Sequence, residues 1–319
     1  MLFRSLPCSP APPAQQQLIL FGGKGGVGKT TIATATAIHL ARGSEGKKTL
    51  LFSTDPAHSI SDSLDQPIGN RLTPVAGAEG LFALEMEATE LLEELKQEYL
   101  AVIVEVFDSF GDSFDAPFDR PVMEELISLT PPGLDELMAL MKIMDFMEGG
   151  EFDCYILDLA PTGHALRFLE TPGMVRQWFI TFFRLLLKYQ GVVRLTQVAT
   201  WLRDKSKQLR RVEQLLPNAE RCQFIAVTIP EAMAVLETGR LLHRLADLSV
   251  ACRWVVVNMV VPPTECAFCA TMRDEQQQYL EQLGALAPGL IQVPLFPHEI
   301  RGSAGLDKIA RALYGDGNG

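Results

Sequence analysis

Gly22-Gly23-Lys24-Gly25-Gly26-Val27-Gly28-Lys29-Thr30-Thr31 lies between an apolar run at 18–21 and a helix-length stretch at 30–42. From Gly23 to Thr30 it fits the pattern G-x-x-x-x-G-K-[ST], in the strand-then-helix context that the pattern requires. Glycines let backbone N–H groups curl around phosphate oxygens, and a helix N-terminus adds a favourable dipole. Gly23, Gly25, Gly26, Val27, Gly28, Lys29, Thr30 and Thr31 are therefore the expected phosphate-binding residues of an ATP site. Lys29 would neutralise the β- and γ-phosphates, and the Thr30 hydroxyl would ligate Mg²⁺. A chance glycine-rich turn is the bland alternative, and the flanking strand and helix argue against it.

Outward from this loop, short apolar runs alternate with helix-length segments. Strands are expected at 18–21, 49–52, 82–86, 155–159, 224–229, 254–260 and 291–294, with helices such as 30–42, 231–245 and 270–283. Continuous apolar strands fit a parallel sheet covered on both faces. The alternation predicts an α/β fold: a doubly wound, mostly parallel sheet of the P-loop NTPase type. Two long stretches without a strand break the rhythm, separated by breakers at Pro131-Pro132-Gly133 and Gly149-Gly150. The expected organisation is a disordered tail at 1–17, a nucleotide-binding domain from 18–87, 151–171 and 222–314, and a flexible end at 315–319. An α-helical subdomain from 88–150 and 172–221 would be inserted into that domain.

Two further loops carry acids. Asp55, in Thr54-Asp55-Pro56-Ala57-His58-Ser59, follows a strand, and such an acid points into the nucleotide crevice. It could orient the attacking water, or serve only as the turn residue before a helix. Asp158 ends an apolar strand and is placed to hold the Mg²⁺ shell through water; Gly163 offers a backbone N–H to the γ-phosphate. His58 and His164 lie in these loops without a metal-ligand pattern, which points to network or packing roles.

The motifs DPAHS (55–59), APTGH (160–164) and the double-lysine loop together resemble the ArsA family of P-loop ATPases. That family includes an arsenite-pump-driving ATPase and a Get-pathway factor that targets tail-anchored membrane proteins. Residues 228–242, Val257-Asn258 and 294–302 are similar to its later motifs, so the likeness covers nearly all of the chain after residue 17. The resemblance implies that Lys24 reaches across a homodimer to the partner's nucleotide, making it catalytic with Asp55; a solvated surface lysine is the alternative. It also implies that Asn258 recognises adenine, with Pro294, Leu295 and Phe296 beside the base. The chain departs from the family pattern at Leu159, where a threonine is usual, and at Met259.

The six cysteines are Cys8, Cys154, Cys222, Cys252, Cys266 and Cys269. Only the last two make a close pair, which supplies half of a tetrahedral zinc site. A two-fold dimer would complete a Cys₄ set, and the Get-pathway relatives imply such a shared Zn²⁺. Free thiols or a redox pair are the alternatives. Met138, Met141, Met144 and Met147 recur every third residue, and 178–187 is rich in Trp, Phe and Leu. By resemblance these would line a groove for a hydrophobic transmembrane segment; otherwise they form the insertion's own core.

The formal charge of −11 argues against nucleic acid as main partner, and no apolar run approaches the roughly 20 residues of a membrane span. A cytoplasmic location with peripheral contact to membrane proteins is expected. Three functions then compete. The first is an ATP-driven targeting chaperone. The second is an arsenite-stimulated ATPase serving a membrane pump, which would need thiolate ligands near the helical insertion. Residues 88–150 and 155–221 contain no cysteine. The third, a ParA/MinD-like positioning ATPase, would favour a basic DNA-binding face or a C-terminal amphipathic membrane helix, which the acidic chain and its Gly315-Asp316-Gly317-Asn318-Gly319 ending are not expected to supply.

Overall fold

The structure is a computed structural model, and it describes residues 16–43, 46–54, 59–86, 134–159 and 196–315, with single positions at 90, 93, 97 and 175. Contacts divide the chain into two compact units: Met1–Met86, Gly150–Leu166 and Leu216–Gly319 form one, Glu87–Gly149 and Arg167–Leu215 the other.

The first unit is built on strands β1 (Leu18–Gly22), β2 (Thr49–Ser53), β3 (Thr73–Pro74), β4 (Leu81–Glu85), β5 (Cys154–Asp158), β6 (Cys222–Thr228), β7 (Trp254–Val260) and β8 (Leu290–Pro294). They form one sheet in the order β3-β4-β2-β5-β1-β6-β7-β8. Only the pairing of β3 with β4 is antiparallel. Every residue of β1, β2 and β6 is buried, the physical reason these strands read as unbroken apolar runs. The expected doubly wound α/β fold is the observed one.

The chain leaves β1 toward β2 on one side and later crosses from β5 to β6 on the other. Strand order therefore reverses about β1, and ligands of open α/β sheets bind at the carboxyl ends of strands at such a point. Helix α1 (Lys29–Arg42) follows β1, and its buried residues include Ile32, Ala33, Ala35, Ala37, Ile38 and Ala41. Small alanines and threonines let this helix approach the sheet closely. The short helix α2 (Ser59–Leu64) follows β2.

Helices α5 (Ala232–Asp247), α6 (Ala267–Leu286) and α7 (Gly302–Tyr314) complete the first unit. The sequence reading did not single out α7. Its Leu306, Ile309, Ala310 and Leu313 are buried in the same cluster as α1. The Tyr314 ring stacks on His39 at 4.1 Å, and its hydroxyl donates to Thr36 Oγ1 at 2.8 Å.

Several expected boundaries move, two of them with contacts that show why. Gln17, assigned with Gln16 to the tail, is tied to the sheet: its N–H donates to the Arg221 carbonyl, and its own carbonyl accepts from Tyr155 N–H. Residues 216–221, assigned to the helical insertion, group with the sheet unit for the same reason: Leu216 is buried, and the Arg221 guanidinium donates to Gln17 Oε1 at 2.6 Å.

In the second unit, α3 (Leu134–Gly149) packs against α4 (Thr196–Leu215). Met138, Met141 and Met144 are buried there, with Leu137, Leu140 and Ile143 beside them, while Leu209, Val212 and Leu215 are buried on α4. Polar pairs Gln208–Asp145 and Arg211–Glu148 tie the two helices along their solvent edge. The methionine stripe thus faces inward in this state, which favours the insertion's own core over a displayed surface at those three positions. The aromatic segment at 178–187 lies outside the described residues, as do 1–15 and 316–319. No described helix is long and apolar enough to cross a membrane.

Leu306→Ala should cost about 2–5 kcal/mol of stability, since it empties a fully buried site between α7 and α1. Urea unfolding monitored by circular dichroism would show a lower midpoint; an unchanged midpoint would mean that α7 is not integral to the core.

Candidate active site

Three strand ends converge where the phosphate loop begins. Register sets Phe21 of β1 beside Asp158 of β5, Gly22 beside Ala226 of β6, and Ser53 of β2 beside Asp158. The loops after β1, β2 and β5 therefore leave the sheet together at its carboxyl edge.

Space, rather than flexibility alone, requires the first glycine. A Cβ on Gly23 would lie 2.0 Å from the Val227 carbonyl oxygen. At Gly28 both limits apply: φ is +87°, and a Cβ would lie 2.4 Å from Asn258 Nδ2. Gly28 is also the N-cap of α1, with no side-chain cap and no acid in the first helical turn. The helix start is thereby left to face an anion. Lys29, only 5% exposed, donates from Nζ to the Lys24 carbonyl at 3.3 Å, closing the loop on itself. Lys24 itself is half-buried, Gly25 and Gly26 are exposed and Val27 is buried.

Thr30 O–H donates to Asp158 Oδ2 at 2.6 Å, and its oxygen lies 3.1 Å from Ser59 Oγ. Asp158 is fully buried. Three oxygen-bearing side chains from α1, α2 and β5 thus meet at the loop. Such a set suits a hard cation like Mg²⁺, held by Thr30 and by Asp158 through water. Thr31, the next residue of α1, is half-buried.

Asp55, His58, Gly163 and His164 lie outside the described residues. Their flanks are described: Thr54 is buried after β2, and Leu159 N–H donates to the Phe21 carbonyl at 3.1 Å. Leu159 is 1% exposed, so leucine suits this position by burial.

Glu85 went unnoticed in the sequence. It ends β4, is 3% exposed, and accepts from Ile60 N–H at 2.6 Å and from Ser61 Oγ–H at 2.6 Å. Its carboxylate therefore holds the first turn of α2, and with it Ser59 beside Thr30. Glu85 acts through α2, as a positioning residue. An acid ending an apolar strand, as at Asp158, was the available signal.

On the opposite side, Asn258 is buried and its Nδ2 donates to the Val27 carbonyl at 3.0 Å. Pro294 ends β8, Leu295 is exposed, and Phe296 packs partly against the core. Asn258 thus touches the phosphate loop, and Leu295 is tied to β7 through its N–H to the Val260 carbonyl.

The cysteines sort by burial. Burial pushes the Cys154 and Cys222 thiols up to about 12 and Cys252 to about 11. Cys266 is exposed at the N-cap of α6, and Cys269 stands one turn on. Hydrogen bonds from the Cys269 backbone and thiol hold Cys266 below the ordinary value, and Cys269, which makes that thiol contact, is raised in turn. Among the described residues no group of three or more metal-ligating side chains forms, so a zinc cage is not complete within them.

Residues 16–315 match the family model described as anion-transporting ATPase, of the ArsA type. Curated relatives include "ATPase GET3B" of Arabidopsis thaliana, 34% identical over 90% of this chain and 76% of the relative. "ATPase ASNA1 homolog 1" of Paramecium tetraurelia is 31% identical over 92% and 91%. "ATPase GET3" of Podospora anserina is 30% identical over 92% and 89%.

Removing the Glu85 carboxylate should misplace Ser59 and the loop before it while leaving the phosphate loop intact. Glu85→Ala is expected to lower kcat for ATP roughly 10- to 100-fold, as displacements near 1 Å do, with ATP affinity within a few-fold. Glu85→Gln, which retains an acceptor oxygen, should lose less. Phosphate-release kinetics and nucleotide titration separate the two quantities; an unaltered kcat in Glu85→Ala would refute the positioning role.

Proposed function

The chain belongs to the anion-transporting ATPase family and hydrolyses ATP, and on that premise we propose that it works as a homodimeric targeting factor. Its client would be a hydrophobic transmembrane segment, held in a groove that ATP closes and hydrolysis opens. The observation that carries this reading is where the chain leaves the nucleotide unit. β4 ends in Glu85, and the helical unit begins at Glu87; β5 ends in Asp158, and the helical unit resumes at Arg167. Both exits therefore start from strands whose terminal acids hold α2 and Thr30. A change at the γ-phosphate reaches those acids first.

In the proposed cycle the backbone of Gly23, Gly25, Gly26, Val27 and Gly28 cradles the phosphates. Lys29 neutralises the β- and γ-phosphates. Thr30 and, through water, Asp158 would hold Mg²⁺, which would supply charge neutralisation to the phosphates. Asp55 orients the attacking water, Gly163 contacts the γ-phosphate, and Lys24 of a second copy adds a cation in trans. Asn258, Pro294, Leu295 and Phe296 bind adenine.

The dimer would be clamped by one Zn²⁺ shared between two Cys266–Cys269 pairs. Two thiols at a helix start provide half of a tetrahedral set, and a second copy would supply the other half. Phe268, between them, is 72% exposed, and Met272 one turn on is also exposed. An apolar rim around the pair is consistent with contact to another chain.

Asp55→Asn is expected to slow ATP turnover by roughly 10²-fold or more, as loss of a group that orients the attacking water does. In that state the variant should co-purify with a tail-anchored substrate presented during expression. Stimulation of the wild type by arsenite, with no capture of a hydrophobic tail, would instead indicate a pump ATPase. Cys266→Ser should lose zinc by metal analysis and shift toward monomer in sedimentation; unchanged metal content would overturn the clamp.

A further inference from the structure

β7 is irregular where it meets the base side of the site. The pairing of β7 with β8 shifts register between Val257 and Val260, and Met259 between them has φ +58°, in the left-handed region. Non-glycine residues rarely take that conformation, and those that do persist where surrounding contacts over-determine them. A bulge of this kind re-aims side chains beside it. Asn258, immediately before Met259, is the residue whose amide reaches the Val27 carbonyl of the phosphate loop.

What holds the bulge comes from α6. Gln276 Oε1 accepts from Val261 N–H at 2.8 Å, and Gln276 Nε2 donates to the Met259 carbonyl at 3.2 Å. These two backbone groups flank Val260. A neighbouring parallel strand would pair with the same two groups, so one side-chain amide stands in for a missing ladder partner. From β8, Leu295 N–H donates to the Val260 carbonyl at 2.8 Å. Val260 is therefore gripped from both sides, by Gln276 on α6 and by Leu295.

We infer that Gln276 is a positioning residue of the base site: by pinning the backbone around Val260 it sets Asn258 against the phosphate loop and Leu295 beside the base. This rests on the reading of Asn258 and Pro294–Phe296 as the adenine contacts. A side chain that fixes the bulge acts most on base recognition, because the phosphate loop is held independently by Gly23 against the Val227 carbonyl, by Lys29 to the Lys24 carbonyl and by Thr30 to Asp158. Its loss therefore loosens the hold on the base selectively.

The test compares the full chain with Gln276→Leu, Gln276→Glu and Asn258→Ala, titrating ATP, GTP and inorganic tripolyphosphate and following turnover of each nucleotide. Gln276→Leu should weaken ATP about tenfold in Kd and KM, with kcat within about twofold, and should erode the preference for ATP over GTP while tripolyphosphate binding holds. Gln276→Glu keeps the acceptor and loses the donor, so its effect should be intermediate. That second variant also serves if the leucine form folds poorly, which thermal melting would show. If Asn258→Ala erodes the ATP preference and neither Gln276 variant does, the inference is wrong and the base site stands. If Asn258→Ala leaves the preference intact, the base-site reading fails and takes the inference with it. Equal weakening of ATP and tripolyphosphate would mean general loosening, and would also overturn it.

Discussion

The phosphate loop has no spare room under the strand ends that surround it. Gly23 sits against the Val227 carbonyl of β6, and Gly28 against the Asn258 amide of β7, each closer than any Cβ could approach. Closeness is what gives the loop a single shape. Val27 is then fixed through its carbonyl to Asn258, and Lys29 folds back to the Lys24 carbonyl. A loop this constrained presents its backbone N–H groups already ordered, so little entropy remains to be lost when phosphate binds. The rest of the nucleotide unit depends on the same wedge, because β5, β6 and β7 each meet the loop.

Two acids on the strands that flank β2 have parallel tasks. Asp158 ends β5 and takes the Thr30 hydroxyl; Glu85 ends β4 and takes the first turn of α2. Both are buried, and burying a carboxylate without partners would be costly. Their hydrogen bonds offset that cost only while α1 and α2 keep their places. Ser59 and Thr30, 3.1 Å apart, join the two arrangements. A displacement of either helix start is therefore felt at both strand ends, and Glu85 lies just before the chain's first exit to the helical unit.

Much of this was legible in the sequence because it is local. The loop motif, the strand before it and the helix after it occupy consecutive residues, and fully buried parallel strands announce themselves as apolar runs. The doubly wound class and the family likewise followed from the alternation and from short motifs, whereas the order of the strands came only from their pairing. Glu85, Gln276 and α7 were missed for the opposite reason. Glu85 and Gln276 each act on a segment distant in sequence or wrapped around a bulge, and neither belongs to a short pattern. Helix α7 gave no motif, although its buried residues recur at the spacing of one helical face. The methionine stripe shows the converse limit. Periodicity shows that Met138, Met141 and Met144 share a face, yet only packing reveals that the face is buried.

Electrostatics give a reason for the second lysine of the loop. A triphosphate brings several negative charges into a site that already holds buried Asp158 and Glu85, in a chain of net charge −11. Lys29, the start of α1 and a Mg²⁺ ion at Thr30 would oppose them, but a helix terminus is equivalent to only about half a charge. In a site screened from water such a deficit matters more than it would at the surface. The Lys24 backbone already serves its own subunit by receiving Lys29, while its side chain stands only half-buried at the loop's outer turn. An added cation from a second copy would remove the deficit at the moment the two copies close. In the proposed dimer, hydrolysis and closure would then be linked by charge balance, without any special signal passing between the subunits.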